Sequence, residues 1–256
     1  LENEAWGKPR DSVRLPAPQG NGWWTQEIYH HLLNCGIRIP PSAGSASGVL
    51  PNPVGYNRAY VNFEGEPSME KWFEGLKTGR VFVSNGPLLR VTADGHLPGH
   101  VFKSDNNYML IELRGELDSN DPIDRVEVVH NGEVMSYPFP GWVPVHESGW
   151  FLVRAITTKT NTLRFASTAP FYVEIGDAKP APQQHASAHF FVQWCEARIS
   201  MLQKNTVLTA TQKNEVLEPW HKALGFWQSK KNEAPALQAV RAELTDAETG
   251  QPIPGR

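Results

Sequence analysis

Between Leu88 and Ile175 the sequence offers only short strand-forming runs: LLRVTA, YMLIELRG, RVEVVH, EVMSY, GWFLVRAIT, TLRFAS and PFYVEI. Asp94-Gly95 and Asn131-Gly132 separate some of them, and the second pair is a strong signal for a two-residue hairpin. Seven such runs in fewer than ninety residues predict an antiparallel sandwich of immunoglobulin-like type. The disulfide that marks true immunoglobulin domains is absent, so the expectation concerns architecture alone.

The polar residues of interest lie upstream, in a unit organised by residues 28 to 63. Thr25 is a plausible helix cap, and Ile28, Tyr29, Leu32 and Leu33 recur at helical spacing before Gly36 supplies a left-handed stop. Residues 1 to 24, broken by Pro9, Pro16, Pro18, Gly20 and Gly22, read as a surface connection. Ile37 to Ile39 reads as a short strand that Pro40-Pro41 ends, and SAGSASG then presents backbone amides with little side-chain bulk. After turns at Asn52-Pro53 and Gly55, Arg58 to Phe63 alternates as a strand. Ser68 caps a helix striped by Met69, Trp72, Phe73 and Leu76 that Gly79 ends, and Arg80 to Ser84 follows as a strand. Strand, helix and strand at this spacing predict a βαβ unit with parallel strands, and α/β folds keep their chemistry where such strands end.

Residues 177 to 188 read as a linker. Beyond it Phe191, Trp194, Cys195, Ile199 and Leu202 stripe one helix, and further helices are expected over 214–227 and 235–247. The chain is thus divided at 1–87, 88–176 and 177–256.

Composition removes several function classes. The formal net charge of the 256 residues is −3, with no basic stripe, which argues against a nucleic-acid partner. No run of 18 apolar residues predicts a membrane span. Cys35 and Cys195 are expected as two buried thiols, too few for a zinc site made of cysteines. The chain begins at Leu1 without a signal-peptide pattern and is expected to be the carboxyl-terminal part of a longer protein.

The nine histidines form neither His-x-His nor His-Glu-x-x-His. His30 and His31 are adjacent on a helix and point about 100° apart, so one packed and one solvated side chain are expected. His96 and His100, flanking Pro98-Gly99, read as surface loop residues. Gly44-Ser45-Ala46-Ser47-Gly48 matches the letters of a nucleophile elbow, yet Pro51 and Pro53 follow where the elbow needs a helix, so a turn is the stronger reading. Asn57, Arg58 and Asn85 sit at strand boundaries. Arg58 has the fork geometry to hold a carboxylate or phosphate, or it pairs with Glu64 or Glu66. Trp23, Trp24, Trp142 and Trp150 are candidates for stacking on sugars, with burial in the core as the commoner fate of tryptophan.

The runs YHHLLNCGIRIPPSAGS, PVGYNRAYV and KWFEGLKTGRVFVSNGPLL resemble the end of the catalytic domain of CehA/McbA-type metallohydrolases of the PHP superfamily. The likeness covers about residues 20 to 100 and continues more loosely through GWFLVRA and ASTAPFYVE. It implies the C-terminal part of a distorted β/α barrel, followed by the immunoglobulin-like sandwich and helices, in a hydrolase of ester or phosphoester bonds. It also implies two or three divalent metals, zinc, manganese or iron, with the early ligands before Leu1, and it leans towards export to the periplasm or beyond. The late ligand of the family follows a Gly-Ser/Thr pair, and here that pair is Gly44-Ser45 followed by Ala46, which cannot coordinate metal. No ligand therefore carries over to a numbered residue. The resemblance instead implies that Ser45, Asn57, Arg58 and Asn85 line the barrel mouth and bind a small-molecule or glycan substrate. The alternative is a non-catalytic scaffold or carbohydrate-binding protein derived from that family.

Overall fold

The computed structural model describes residues 8–48, 52–135, 137–176 and 184–233. In chain order its elements are α1 (Gly20–Asn34), β1 (Arg58–Val61), α2 (Met69–Lys77), β2 (Val81–Ser84), β3 (Leu88–Ala93), β4 (Val101–Ser104), β5 (Met109–Asp118) and β6 (Ile123–His130). There follow β7 (Glu133–Met135), β8 (Gly141–Val145), β9 (Gly149–Thr157), β10 (Phe165–Thr168), β11 (Phe171–Ile175), α3 (Gln184–Lys204) and α4 (Ala210–Glu233). No helix among the described residues is long and apolar enough to cross a membrane.

The run GWFLVRAIT lacks the alternation of a half-buried strand because both faces of β9 are covered. Every residue from Trp150 to Thr157 is buried. Phe151, Val153 and Ala155 share a core with Leu89, Val91, Ile111, Leu113, Val143 and Val145 of a three-stranded sheet ordered β3-β5-β8. Trp150 and Leu152 point the other way and pack with Leu33 of α1. Within its own sheet β9 pairs β6 along one edge, and β10 and β11 along the other, all antiparallel. From β10 the sheet continues to β2 and β1, and from β11 to β4, which pairs in parallel. The architecture is mixed α/β, dominated by strands in two sheets, and no barrel closes among the described residues.

Several expectations need correction. β1 and β2 pair antiparallel, with Arg58 opposite Ser84 and Val61 opposite Val81, so the parallel βαβ unit does not form. The reason lies in α2, whose Met69 and Phe73 are 67% and 55% exposed. A helix that leaves its apolar residues in solvent does not cover a sheet face, and a parallel crossover depends on that cover. α2 instead lies against β1, close enough that a Cβ on Gly75 would meet Val61 Cγ1 at 2.3 Å. Residues 37 to 39 form no strand; Tyr29 holds the segment by donating its hydroxyl to the Ile39 carbonyl at 2.7 Å. α1 begins at Gly20 rather than after Thr25. Gly22 permits that extension, because a Cβ there would stand 2.7 Å from Leu163 Cδ2. β4 and β8 were not expected. β8 contains Pro144 and pairs only with β5, an edge position where a missing N–H is tolerated. The sheet also continues across residue 87, since β2 hydrogen-bonds β10. α3 starts at Gln184, inside the expected linker, and α4 is longer than expected, while the helix expected over 235–247 lies outside the described residues.

One charge interrupts the apolar face that β9 turns towards α1. Arg154 is 6% exposed, and its Nε donates to Glu127 Oε2 on β6 at 2.5 Å. Its Nη1 donates to Gln26 Oε1 on α1 at 3.0 Å, and Trp23 lies with its ring 4.9 Å from the guanidinium. Burial works against the Glu127 charge, but the hydrogen bond from Arg125 and the charge of Arg154 outweigh it and hold the carboxyl below its ordinary range. Glu127→Gln leaves Arg154 buried without a counter-charge and is expected to cost about 3–5 kcal/mol in urea unfolding. Replacing both partners together, Arg154→Met with Glu127→Leu, is expected to recover most of that loss.

Candidate functional site

A cleft of about 670 Å³ opens between α1, the stretches Ile39 to Gly44 and Asn52 to Asn57, and strands β2, β9 and β10. The 3.6-residue period of α1 sets one wall. Gly22, Thr25, Gln26, Tyr29 and His30 share the face on the cleft, while Trp24 and Ile28 pack with Ala188 and Phe191 of α3. Val83, Ser84, Leu152, Phe165 and Ser167 form the floor. The described lining residues include no Asp, Glu, Lys or Arg.

Two of the residues singled out by sequence line this cleft, Asn57 and Asn85. Asn85 spends its amide on backbone: Nδ2 donates to the Leu163 carbonyl at 2.9 Å and Oδ1 accepts from Phe165 N at 2.8 Å. It thereby ties the end of β2 to the start of β10. Asn57 Nδ2 donates to the Gly44 carbonyl at 3.0 Å, and its backbone N donates to Ser45 Oγ at 3.0 Å. Ser45 is behind the wall rather than in it, and it clasps the two arms of the loop together. Arg58 is exposed, away from the cleft, with its guanidinium 5.6 Å from the Tyr60 ring. The carbonyls of Glu64 and Glu66, its imagined neighbours, are instead held by Lys71 Nζ at 3.0 Å each.

Sequence reasoning passed over His30 as a site residue. It is 8% exposed, lines the cleft, and tilts against Trp150 with ring centroids 5.1 Å apart. Burial, then the charges of Arg154 and His31, lower its pKa to about 3, so the ring is neutral across the ordinary pH range. So low a value makes it a poor general base, which works best with a pKa near the operating pH. Its available signal was the set of polar residues at helical spacing opposite Trp24 and Ile28. His31 is half-buried rather than solvated: it stacks on Phe190 at 4.2 Å, and its Nδ1 lies 3.0 Å from Ser187 Oγ. That pair has the look of a nucleophile and its base, yet Ser187 is 1% exposed and its Oγ accepts from Asn34 Nδ2 at 3.2 Å. Asn34 Oδ1 in turn accepts from Trp150 Nε1 at 2.8 Å, and the whole chain is a buried polar tie between α1, α3 and β9.

Both cysteines are buried free thiols, as expected, and burial pushes Cys35 up to about 12, which removes it as a nucleophile at neutral pH. Trp24 and Trp150 belong to the core, Trp23 is covered by Arg154 and Arg125, and Trp142 is 51% exposed on β8. Among the described residues no three His, Cys, Asp or Glu side chains are grouped to hold a metal ion. The cleft offers amides, hydroxyls and one imidazole, a donor set that does not fit a hydrolytic metal centre. Comparison of the chain with protein-family models, with curated proteins and with solved structures finds no match.

The His30 environment has a pH signature. In the unfolded chain His30 takes a proton below its ordinary value of 6.5, whereas in the fold it resists one until about 3. The unfolded state therefore binds more protons in that window, and stability falls as pH drops through it. Between about pH 7 and about pH 4.5 the wild type is expected to lose about 2–3 kcal/mol more than His30→Gln, by urea unfolding at the two pH values.

Proposed function

We propose that this chain is the substrate-holding portion of a hydrolase of the PHP type, acting on an ester-type bond, with the uncharged part of the substrate received in the cleft beside α1. The observation that carries this reading is the wall itself, which has room for a small molecule and no charged side chain among its described residues. Much of that wall comes from the runs that resemble CehA/McbA-type hydrolases: Tyr29, His30 and Ile39 to Gly44 from the first, Tyr56 and Asn57 from the second, Val83 to Asn85 from the third. In the finer form of this reading, α1 to β2 would derive from the end of a distorted β/α barrel, with β1 and β2 continuing one sheet of an immunoglobulin-like sandwich made by β3 to β11. A neutral wall favours a carboxylic ester over a phosphoester, whose charge would lose water without gaining an Arg or Lys partner. The residues of this chain would bind and orient the substrate: Asn57 and Thr25 at the rim, His30 within. The metal, zinc, manganese or iron, would be held by residues other than those described.

Titration calorimetry with uncharged acetate esters and with the matching phosphate monoesters tests the cleft. The esters are expected to bind at least about tenfold more tightly, a difference of about 1.4 kcal/mol. Ala43→Trp, which fills the mouth, is expected to abolish the binding. Phosphate monoesters binding as tightly as the esters would sink the ester preference.

A second reading, a non-catalytic carbohydrate-binding protein, is favoured by Trp142, whose ring stands out on the outer face of β8. Elemental analysis of the longest natural form carrying this chain, purified without chelator, separates the two. Near-stoichiometric zinc, manganese or iron is expected for the hydrolase. No metal, together with glycan binding lost in Trp142→Ala, would transfer the case to the second reading.

A further inference from the structure

Three polar side chains of the cleft wall are more than nine-tenths buried: Ser84, Ser167 and His30. The two serines are satisfied by backbone. Ser84 Oγ donates to the Pro87 carbonyl at 2.5 Å and accepts from Gly86 N at 2.9 Å, and Ser167 Oγ donates to the Thr168 carbonyl at 3.2 Å. The His30 ring makes no hydrogen bond to any described residue. The ring nitrogens are nevertheless not among the fully enclosed unpaired polar atoms, so they meet solvent through the cleft, the direction from which a ligand can come.

We propose that His30 is the group with which the cleft reads a hydroxyl of an uncharged, polyhydroxylated ligand of sugar type. The inference rests on the reading of the cleft as a binding site and names the substrate class, a sugar ester. A neutral imidazole carries one donor and one acceptor, and a hydroxyl is likewise both, whereas a carboxylate or phosphate only accepts and an ammonium only donates. Asn21, Thr25 and Asn57, nearer the rim, repeat this dual character. Tyr29, Tyr56 and Phe165 add aromatic surface suited to the C–H face of a sugar ring. An anionic ligand would gain most from a protonated His30, and burial, then the charge of Arg154, opposes that proton. Gln26, which lines the cleft next to His30, has its Oε1 occupied by Arg154 Nη1, so its orientation is fixed before any ligand arrives.

The test uses methyl β-glucoside, methyl β-galactoside and cellobiose as probes, with the uncharged acetate esters as controls, on the wild type, His30→Leu, His30→Gln and Ala43→Trp. At least one saccharide is expected to bind the wild type, about tenfold or more weakly to His30→Leu, with part of the affinity kept by His30→Gln and none by Ala43→Trp. In the wild type the ¹⁵N resonances of the His30 ring are expected to move when the saccharide binds. That readout decides the matter should a His30 variant fail to fold cooperatively. Equal affinity in wild type and His30→Leu, with loss in Ala43→Trp, would overturn the role of His30 and leave the cleft standing. Saccharide binding untouched by Ala43→Trp, or unmoved His30 resonances, would place the sugar elsewhere and overturn the proposal. Esters binding where no saccharide does would overturn the sugar class alone, and binding by neither would overturn the reading of the cleft as well.

Discussion

The ion pair between Arg154 and Glu127 is the constraint from which the position of α1 follows. A strand covered on both faces normally carries only apolar side chains, and β9 does so except at Arg154 and its last residue, Thr157. A buried guanidinium demands partners for its fork of donors, or the desolvation is uncompensated. Glu127 supplies the counter-charge from the neighbouring strand, and Gln26 and the Trp23 ring supply the rest from α1. The helix is thus held by a polar requirement as well as by apolar burial, and a polar requirement is directional. Rotating α1 by a single residue would turn it about 100° and withdraw Gln26 from Arg154.

Two further ties make that wall stiff along its length. At the carboxyl end Asn34 joins the Trp150 indole to Ser187 on α3, so three elements meet in one buried hydrogen-bonded chain. At the amino end Gly22 lets the helix approach Leu163 to a distance that any side chain would prevent. The strand itself is anchored by Asn131, whose Oδ1 accepts from Trp150 N at 3.0 Å. That bond requires glycine at 149, where φ is +151° and a Cβ would stand 1.9 Å from the same oxygen. The Asn131-Gly132 hairpin therefore positions Trp150, and through Trp150 both Asn34 and the ring of His30.

The strands were legible because their signals are local. Asn131-Gly132 and Asp94-Gly95 declare their turns within two residues, and GWFLVRAIT coincides with β9 from end to end. What escaped was decided at a distance. Whether β1 and β2 run parallel or antiparallel depends on what α2 covers, and its apolar stripe reads identically whether it meets a sheet or solvent. Pro144 concealed β8 because proline is acceptable there only by virtue of the edge position, which no sequence window reveals. In the site, Asn57 and Asn85 were visible as strand-boundary residues, yet their amides turned out to be spent largely on backbone. His30 was visible only as half of a His-His pair. Its neutrality rests first on burial, partly against Trp150, and second on the charge of Arg154, both residues more than a hundred positions away.

That separation explains why a neutral cleft can lie directly over a buried charge. Arg154, Glu127, Arg125 and Asp124, which pairs with Arg125, sum to no net charge, and the Arg125 and Asp124 side chains are 46% and 47% exposed at the solvent end of the group. Solvent screens that end, while the buried end keeps a field that disfavours a proton on His30. The ion pair thus acts twice: through Gln26 it fixes the geometry of the wall, and through Arg154 it adds to burial in keeping the ring set into that wall neutral. A ligand meeting this surface finds hydrogen-bonding groups whose orientation and charge were settled by folding. Recognition of hydroxyls requires such pre-set donors and acceptors, since a hydroxyl gains little from a group that must first reorient or change its charge.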